Sequence, residues 1–530
     1  MVLNFNTKRK SFLVSVLILF GLCLGYYINV LFKTDYHYIY FLDDAYIHLA
    51  MAKNFAMHHV WGVTSHEFSS SSSSPLFTGL LSGFIWLLGN NDQFPLYINL
   101  VFGVGIIYFL NAYFSEYFKE TKNIVIAVLF TIFFAVLHLL LLSGMEHLFH
   151  VLLITINILC LTKINYNKSA VFGFYFTIVL MGLVRFESMF YFVILAFCFL
   201  LQSKWKTAFF VISAGLIPVA IFCYFNYQQD GYLFPNSVVV KGTKLDFTSG
   251  FLIQFKNIFL NNLILNISFY KVGIFPIIMC LVFIFKDIKK CNFSKVIENN
   301  FLLIVISLLM ICHSLFAELK GGFRYEAYIL TGFSMALIPK MKFFFEDFKN
   351  SIKNKKLLSV LGLANCLLLL YKFGIAHLAL NNGGKNIYEQ QVQSAKFLNT
   401  YYNTSKIVAN DIGAITYYTD IQLLDIAGLA STELISLNEN KAEFDDRFET
   451  FMTQYTLKNK YDLAIVYEVW LGGYVPKGWK KVAVLKIQNK ISVAQDEVTI
   501  YCISSEKLNS LRENIKNFKW HRNVQVKMIQ

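Results

Sequence analysis

Apolar runs broken by short lysine-bearing joins set the rhythm of residues 1–380. The first, 11–32 (SFLVSVLILFGLCLGYYINVLF), can cross a hydrocarbon core of about 30 Å, which takes roughly 20 residues. Further runs lie near 95–114, 124–142, 146–162, 169–184, 188–201, 207–225, 263–285, 301–317, 325–339 and 356–380. Together they predict about eleven membrane spans. Thr7-Lys8-Arg9-Lys10 precede the first run, so the positive-inside bias sets the N-terminus in the cytoplasm. The joins with Lys119/Lys122, Lys163/Lys168, Lys204/Lys206, Lys286 to Lys295 and Lys340 to Lys356 then all fall on the cytoplasmic side. That alternation requires 76–89 (LFTGLLSGFIWLLG) not to cross, and it is short for a span. It reads as a helix lying in the outer interface or dipping into it.

The consequence is a large first external loop, about 34–93. It holds an amphipathic helix (44–59), the turn Trp61-Gly62, a serine run from Ser69 to Ser74, and Pro75. A serine run is ordinarily a flexible linker; here Pro75 ends it and suits the first turn of the interfacial helix.

After about residue 381 the pattern changes. Short β-rich stretches (KIVAND, YDLAIVY, KVAVLKI, EVTIYCIS) alternate with helical patterns at 388–401, 443–457 and 505–517. That predicts a small α/β domain over 381–530, placed outside by the odd number of spans. Residues 1–380 form the transmembrane domain. The fold class is therefore mostly α: a polytopic helical bundle with interfacial helices in its first external loop and a C-terminal α/β domain. The closing stretch KNFKWHRNVQVK is basic and reads either as a lipid-headgroup contact or as a solvated tail.

Composition strengthens the membrane reading. Of 530 residues, 56% are hydrophobic and only 15% charged, more apolar surface than a soluble core of this size needs. The first span has no small-residue cleavage site and reads as an uncleaved anchor. The net charge of +14 is spread over loops and tail, which fits topology and anionic lipid rather than nucleic acid. The nine cysteines are scattered without C-x-x-C or Cys/His spacing, so neither a disulfide framework nor a metal site is expected.

Against this background Asp43-Asp44 stands out, a carboxylate pair where the first apolar helix leaves the bilayer. Charged groups at such a boundary are functional candidates. The competing reading is a helix cap, since a carboxylate before an amphipathic run accepts backbone N–H bonds. Further polar residues gather near external span ends: His48, Glu146, His147, Arg185, Glu187, Asn236, Lys241, Glu318, Lys320, Arg324, Tyr325 and Glu326. Plainer readings exist here too. Ser143-x-x-Glu146 fits a capping box, and Arg185 and Glu187 can pair with one another or snorkel. As a set they offer basic groups to hold an anion and carboxylates to move a proton.

The ordered segments LDDAYIHLAMAKNFA, SSPLFTGLL, SGMEHLFHVLL, GLVRFES, DGYLFPNSVVVKG, FRYEAYIL and NDIGAITYYTDIQLLDIAGLAS span nearly the whole chain. The series resembles GT-C-type integral membrane glycosyltransferases, which use polyprenyl-phosphate-linked sugars. It is most similar to the bacterial branch that includes mycobacterial terminal arabinofuranosyltransferases. The resemblance implies a multi-pass protein of a bacterial cytoplasmic membrane, with a polyprenyl-phosphate sugar as donor and a cell-envelope glycan or lipid-linked acceptor. It also implies that the acidic residue after the first span, Asp43 or Asp44, is the catalytic base; Asp43 matches the leading position.

The chemistry fits these residues independently of the resemblance. An acceptor hydroxyl must lose its proton while the departing phosphate is stabilised. An aspartate with a reference pKa of about 3.9 is a weak base in water, but partial burial and a neighbouring carboxylate raise it. Direct displacement would invert the anomeric centre. Arg324, Arg185, Lys241 and His48 are the candidates for the donor phosphate, guanidinium being suited to bidentate contact. Glu146, Glu187, Asn236, Tyr325 and Glu326 are the candidates for the rest of the substrate. No cofactor and no metal are expected, because a monophosphate leaving group can be met by side-chain cations. In the tail, Asp411 and Asp425 read either as turn caps or as acceptor contacts, and Gly413 and Gly428 suit close backbone approach or a tight turn. The alternative function is a lipid or glycan transporter or flippase, which usually shows internal repeats and broken helices at mid-membrane depth.

Overall fold

The computed structural model describes residues 5–242, 250–317, 319, 322–437 and 445–529, with the side chains of Phe5 and Lys241 set aside. Glu318 and Lys320 therefore lie outside the described residues. The chain is mostly helical and divides into two compact units. One comprises Met1–Gly25, Tyr97–Phe222 and Gly242–His377; the other Tyr26–Leu96, Cys223–Lys241 and Leu378–Gln530. The first external loop thus belongs to the same unit as the C-terminal residues.

The first unit is built from the apolar runs. Four helices among the described residues are long and apolar enough to cross a membrane: Asn6–Lys33, Phe94–Phe114, Trp205–Asp230 and Lys356–Tyr401. Phe293–Asn299 and Phe301–Phe316, bent by 80° at their join, make a fifth if counted together. Thr121–Phe134, His147–Leu161, Lys168–Val184 and Ser188–Leu201 are apolar but shorter. Every run seen in the sequence is helical, while length alone supports fewer crossings than about eleven.

Two runs are interrupted. The run at 124–142 splits into Thr121–Phe134 and Leu137–Leu141, with Val136 at φ 57° between them. A β-branched residue in the left-handed region is a strained break. The carbonyl that the break exposes is met from another helix: Lys372 Nζ donates to Phe134 O at 2.5 Å, and the ammonium lies 3.8 Å from the centre of the Phe134 ring. Lys372 is fully buried. The run at 263–285 splits into Ile267–Val272 and Ile274–Ile288 around Gly273.

The second unit holds a six-stranded sheet: β1 Lys406–Ala409, β2 Gln422–Asp425, β3 Leu463–Val466, β4 Lys480–Lys486, β5 Glu497–Cys502 and β6 Gln525–Met528. The order is β2-β1-β3-β5-β4-β6, parallel across the first three strands and antiparallel thereafter. β3 reads LAIV and is buried at every position, as a strand covered on both faces should be. Val408, Leu424, Ala464, Val466 and Tyr501 pack with Phe448 and Met452 of the Asp446–Lys458 helix. Two strands escape the sequence pattern. β2 is short and leads into a turn, and β6 begins at the end of the stretch read as a headgroup contact or solvated tail. β6 instead pairs with β4, Leu485 opposite Val526.

The external loop is ordered around this sheet. Asp44–His58 is a helix, and Pro75 opens the Pro75–Leu88 helix at its first turn as expected. The serine run is no linker. Ser69 to Ser72 and Ser74 are buried; Ser69 Oγ accepts from Val63 N at 3.1 Å and Ser71 Oγ donates to Leu429 O at 2.8 Å.

Candidate functional site

The sequence-derived candidates fall into two groups, one in each unit. The acidic group lies in the second. Asp43 precedes the Asp44–His58 helix but does not cap it with its side chain. Its carboxylate reaches a helix elsewhere: Oδ2 accepts from Gly413 N at 2.7 Å and Oδ1 from Ala414 N at 2.9 Å. These amides open the Gly413–Tyr418 helix, which follows β1, and such amides lack partners within their own helix. Capping is therefore real, but of a helix 370 residues downstream. Gly413 is required by contact. A Cβ there would lie 2.1 Å from Asp43 O and 2.8 Å from Asp43 Oδ2.

Asp411, two residues beyond the end of β1, is the third carboxylate of this group. Its Oδ2 accepts from Gln391 Nε2 at 2.6 Å and lies 2.5 Å from the Tyr467 hydroxyl, which follows β3. Asp425 behaves differently. Its carboxylate accepts from the amides of Ala427, Leu429 and Ala430 at 2.7–2.9 Å, so it caps its turn, where Gly428 adopts φ 76°. Burial, then the Asp411 carboxylate, push Asp43 up to about 7 against the two amide donors, and Asp44 adds to the rise. Burial likewise raises Asp411, with Asp44 adding to it, against the Tyr467 and Gln391 hydrogen bonds.

His48 and Asn236 also lie in this unit. His48 is buried, its Nδ1 3.0 Å from Ser72 Oγ and 3.1 Å from Thr78 Oγ1. Asn236 Nδ2 donates to Asp230 Oδ2 at 3.1 Å, and its amide donates to Ser70 O at 2.9 Å. Both secure the serine run. Lys241 ends the short Asn236–Lys241 helix, and its side chain lies outside the described residues.

The first unit holds the guanidinium group. Arg185 Nη1 donates to Glu146 Oε1 at 2.7 Å, Nε donates to Glu187 Oε2 at 3.1 Å, and Nη2 donates to Glu187 Oε1. Glu146 is fully buried. It stands at the start of the His147–Leu161 helix without capping it, so the capping-box reading is replaced by an ion pair. Ser143 Oγ instead donates to Leu140 O at 2.7 Å. Tyr325 is the hub of the group. The Arg185 and Arg324 guanidinium carbons lie 5.0 and 5.1 Å from its ring centre, and the His147 ring 5.3 Å away. Stacked guanidinium over tyrosine is a cation–π geometry. Arg324 follows Gly322 and Phe323, both at positive φ, and is mostly buried. Deeper, His150 Nε2 meets Ser188 Oγ at 2.9 Å and its ring stacks 4.1 Å from Tyr328. Glu326 is buried just before the Ala327–Lys340 helix, within electrostatic reach of Arg324 and Lys372.

Among the described residues no cluster of His, Cys, Asp or Glu is placed to hold a metal ion. Chemically, the acidic group can accept a proton and the guanidinium group can bind an anion. Sequence reasoning missed Lys53, Gln391, Tyr467, His150 and Lys372. Of these only Lys372 had a signal, a lone lysine inside an apolar run.

A family model described as "Domain of unknown function (DUF8728)" matches residues 385–501, which take in Gln391, Asp411, Gly413 and Tyr467. No curated protein matches the chain in sequence. Among solved structures, the chain is similar to ArnT from Cupriavidus metallidurans, in a crystal structure bound to undecaprenyl phosphate. The identity is 9% and the TM-score 0.49, over 92% of this chain and 98% of that one. At that score the likeness assigns no role to any residue here.

Proposed function

We propose that this chain is a GT-C-type membrane glycosyltransferase that moves a sugar from a polyprenyl-phosphate donor to a hydroxyl of a cell-envelope glycan or lipid-linked acceptor on the extracytoplasmic face. The observation that carries the reading is the clustering of Asp43 and Asp44 with Asp411, two of them raised by burial, in a chain whose other polar cluster presents guanidinium. The ordered segments that resemble the GT-C family support it.

In the step itself, the acceptor O–H gives its proton to an aspartate of the Asp43–Asp44 pair. The acceptor oxygen bonds to the anomeric carbon as the bond from that carbon to the phosphate oxygen breaks. The electron pair leaves with the polyprenyl phosphate, and single displacement inverts the centre. Arg324 is assigned to the phosphate. Arg185 is assigned to holding Tyr325 in place, because its guanidinium is committed to Glu146 and Glu187 and lies over that ring. A donor of the arabinofuranosyl kind is the finer reading that the resemblance suggests.

The test uses the full-length protein in nanodiscs with polyprenyl-phosphate lipids extracted from the source membranes. Acceptor-dependent release of free polyprenyl phosphate, followed by mass spectrometry, is expected. Movement of labelled lipid across a bilayer with no such release would instead establish the transporter.

A further inference from the structure

The C-terminal domain does more than adjoin the acidic loop. The short Gly413–Tyr418 helix is held at both ends by the one helix that carries the acidic pair. Asp43 takes the amides at its start. At its end, Lys53 Nζ donates to Tyr417 O at 2.7 Å. Lys53 lies ten residues after Asp43 and is buried, an arrangement that makes sense only if that ammonium is spoken for. Between the two, the Tyr46 ring packs 6.1 Å from Tyr417 and 5.8 Å from Tyr418. Further ties run from the same loop: Tyr417 Oη donates to Asn90 Oδ1 at 3.0 Å, and Tyr418 Oη to Asp92 Oδ2 at 2.7 Å. The contact at Gly413 is closer than any side chain would allow.

The geometry constrains what Asp43 can do. Each of its oxygens already receives a backbone N–H, so both are engaged in holding the start of the Gly413–Tyr418 helix. Asp44 is the next residue, about 100° round the helix, half-buried in the first turn. Asp411, two residues before Gly413 and two beyond the end of β1, brings a third carboxylate to the same place, pinned by Tyr467 and Gln391.

We propose that Asp43 is a positioning residue that seats the acidic loop on the Gly413–Tyr418 helix, that Lys53 and Gly413 complete this seat, and that Asp44 is the carboxylate that takes the acceptor's proton. This rests on the transferase reading above. It gives the C-terminal domain a task, to fix the direction of the base. It also explains why the domain and the loop form one compact unit.

The experiment adds purified full-length variants to membrane vesicles from cells lacking the gene, whose endogenous lipids and glycans serve as donor and acceptor. Sugar incorporation is read by mass spectrometry across pH, and melting is read in parallel. Asp44→Asn is expected to lose at least 100-fold in rate with unchanged melting. Asp43→Asn and Gly413→Ala are expected to lose roughly 5- to 20-fold, to lower the melting temperature, and to keep the acid limb of the pH–rate profile. The double variant should melt no lower than the worse single one, since both break one contact. The proposal is overturned if Asp43→Asn is as inactive as Asp44→Asn with unchanged melting, or if Gly413→Ala is as active and stable as the parent. Absence of product with the unaltered protein would remove the transferase reading and the base assignment with it. The seat would still be judged by non-additive melting of Asp43→Asn with Gly413→Ala, and additive melting would overturn that part too.

Discussion

Asp43 is held by two backbone amides from 370 residues downstream, whereas Arg185 is held by two carboxylate side chains inside a helical unit. The difference teaches where each group is vulnerable. A carboxylate bound to amides depends on the backbone approaching closely, so its weak point is Gly413. A guanidinium bound to carboxylates depends on charge balance, so its weak point is the loss of any one partner. The first arrangement keeps part of its contact on loss of charge, because an amide oxygen still accepts from one of the two N–H groups. The second does not.

Arg185→Met should therefore have the largest effect on stability. It would leave Glu146, fully buried, without its compensating charge, and breaking a buried pair typically costs about 3–5 kcal/mol. Unfolding in detergent would register this as a large drop in melting temperature, with Arg185→Lys recovering only part because lysine cannot form the fork. A drop no greater than that of Asp43→Asn would dissolve the contrast between the two groups.

Lys372→Met comes next. The substitution removes the donor on Phe134 O at the broken helix, and a buried acceptor left without its donor costs roughly 1–3 kcal/mol. Combining it with Glu326→Gln should cost less than the sum, since the two charges compensate one another. Additive losses would show that Lys372 serves the break at Val136 alone.

How much of this was legible in the sequence follows the same division. Apolar runs and the strands with regular patterns could be read directly, because their signal is local. The Arg185–Glu187 pair could be read because the partners are two residues apart. Glu146 was legible as polar but its role was not: Ser143-x-x-Glu146 has the spacing of a capping box, and only the fold brings Arg185 to it. Asp43 was read as a possible cap, and capping is what it does, for a helix that no local pattern could name. The serine run had the composition of a linker, yet the hydroxyls of Ser69, Ser71 and Ser72 meet backbone groups and His48. β6 was hidden because its four residues alternate weakly at the end of a basic stretch.

A pH experiment sharpens the acidic side of the comparison. Asp43 has a folded-state pKa raised to about 7 from an ordinary 3.8, burial first and Asp411 second. The folded protein then binds the proton more tightly than the unfolded chain. The stability it contributes is fully present below pH 3.8 and is lost as pH rises through about 7. Asp43→Asn should flatten that decline when melting is followed between pH 4 and 8. An unchanged slope in the variant would assign the titration to another group.

The smallest expected effect belongs to His37 and Asp92, which tie the start of the external loop to its end. His37 Nε2 lies 2.6 Å from Asp92 Oδ2, which also accepts from Tyr418 Oη at 2.7 Å. The hydrogen bond to Asp92 raises the His37 pKa above 6.5. Burial works to raise Asp92, but its bonds from His37, Tyr418 and Gln93 outweigh that and hold it below its ordinary value. The signs are opposite. The histidine's contribution is complete below pH 6.5 and fades as pH rises through its folded value, while the aspartate's is complete above pH 3.8 and fades as pH falls. Their common window lies between those limits. The His37 side chain is 51% exposed, so solvent screens the pair and His37→Gln should cost at most about 1 kcal/mol. Because Tyr418 belongs to the helix that Asp43 caps, Asp92→Asn should cost more than His37→Gln and should weaken the same seat. Melting at pH 5.5 compared with pH 8.5 tests this: the His37→Gln deficit should shrink at the higher pH while the Asp92→Asn deficit persists. Equal deficits at both pH values would mean that the histidine acts through packing rather than charge.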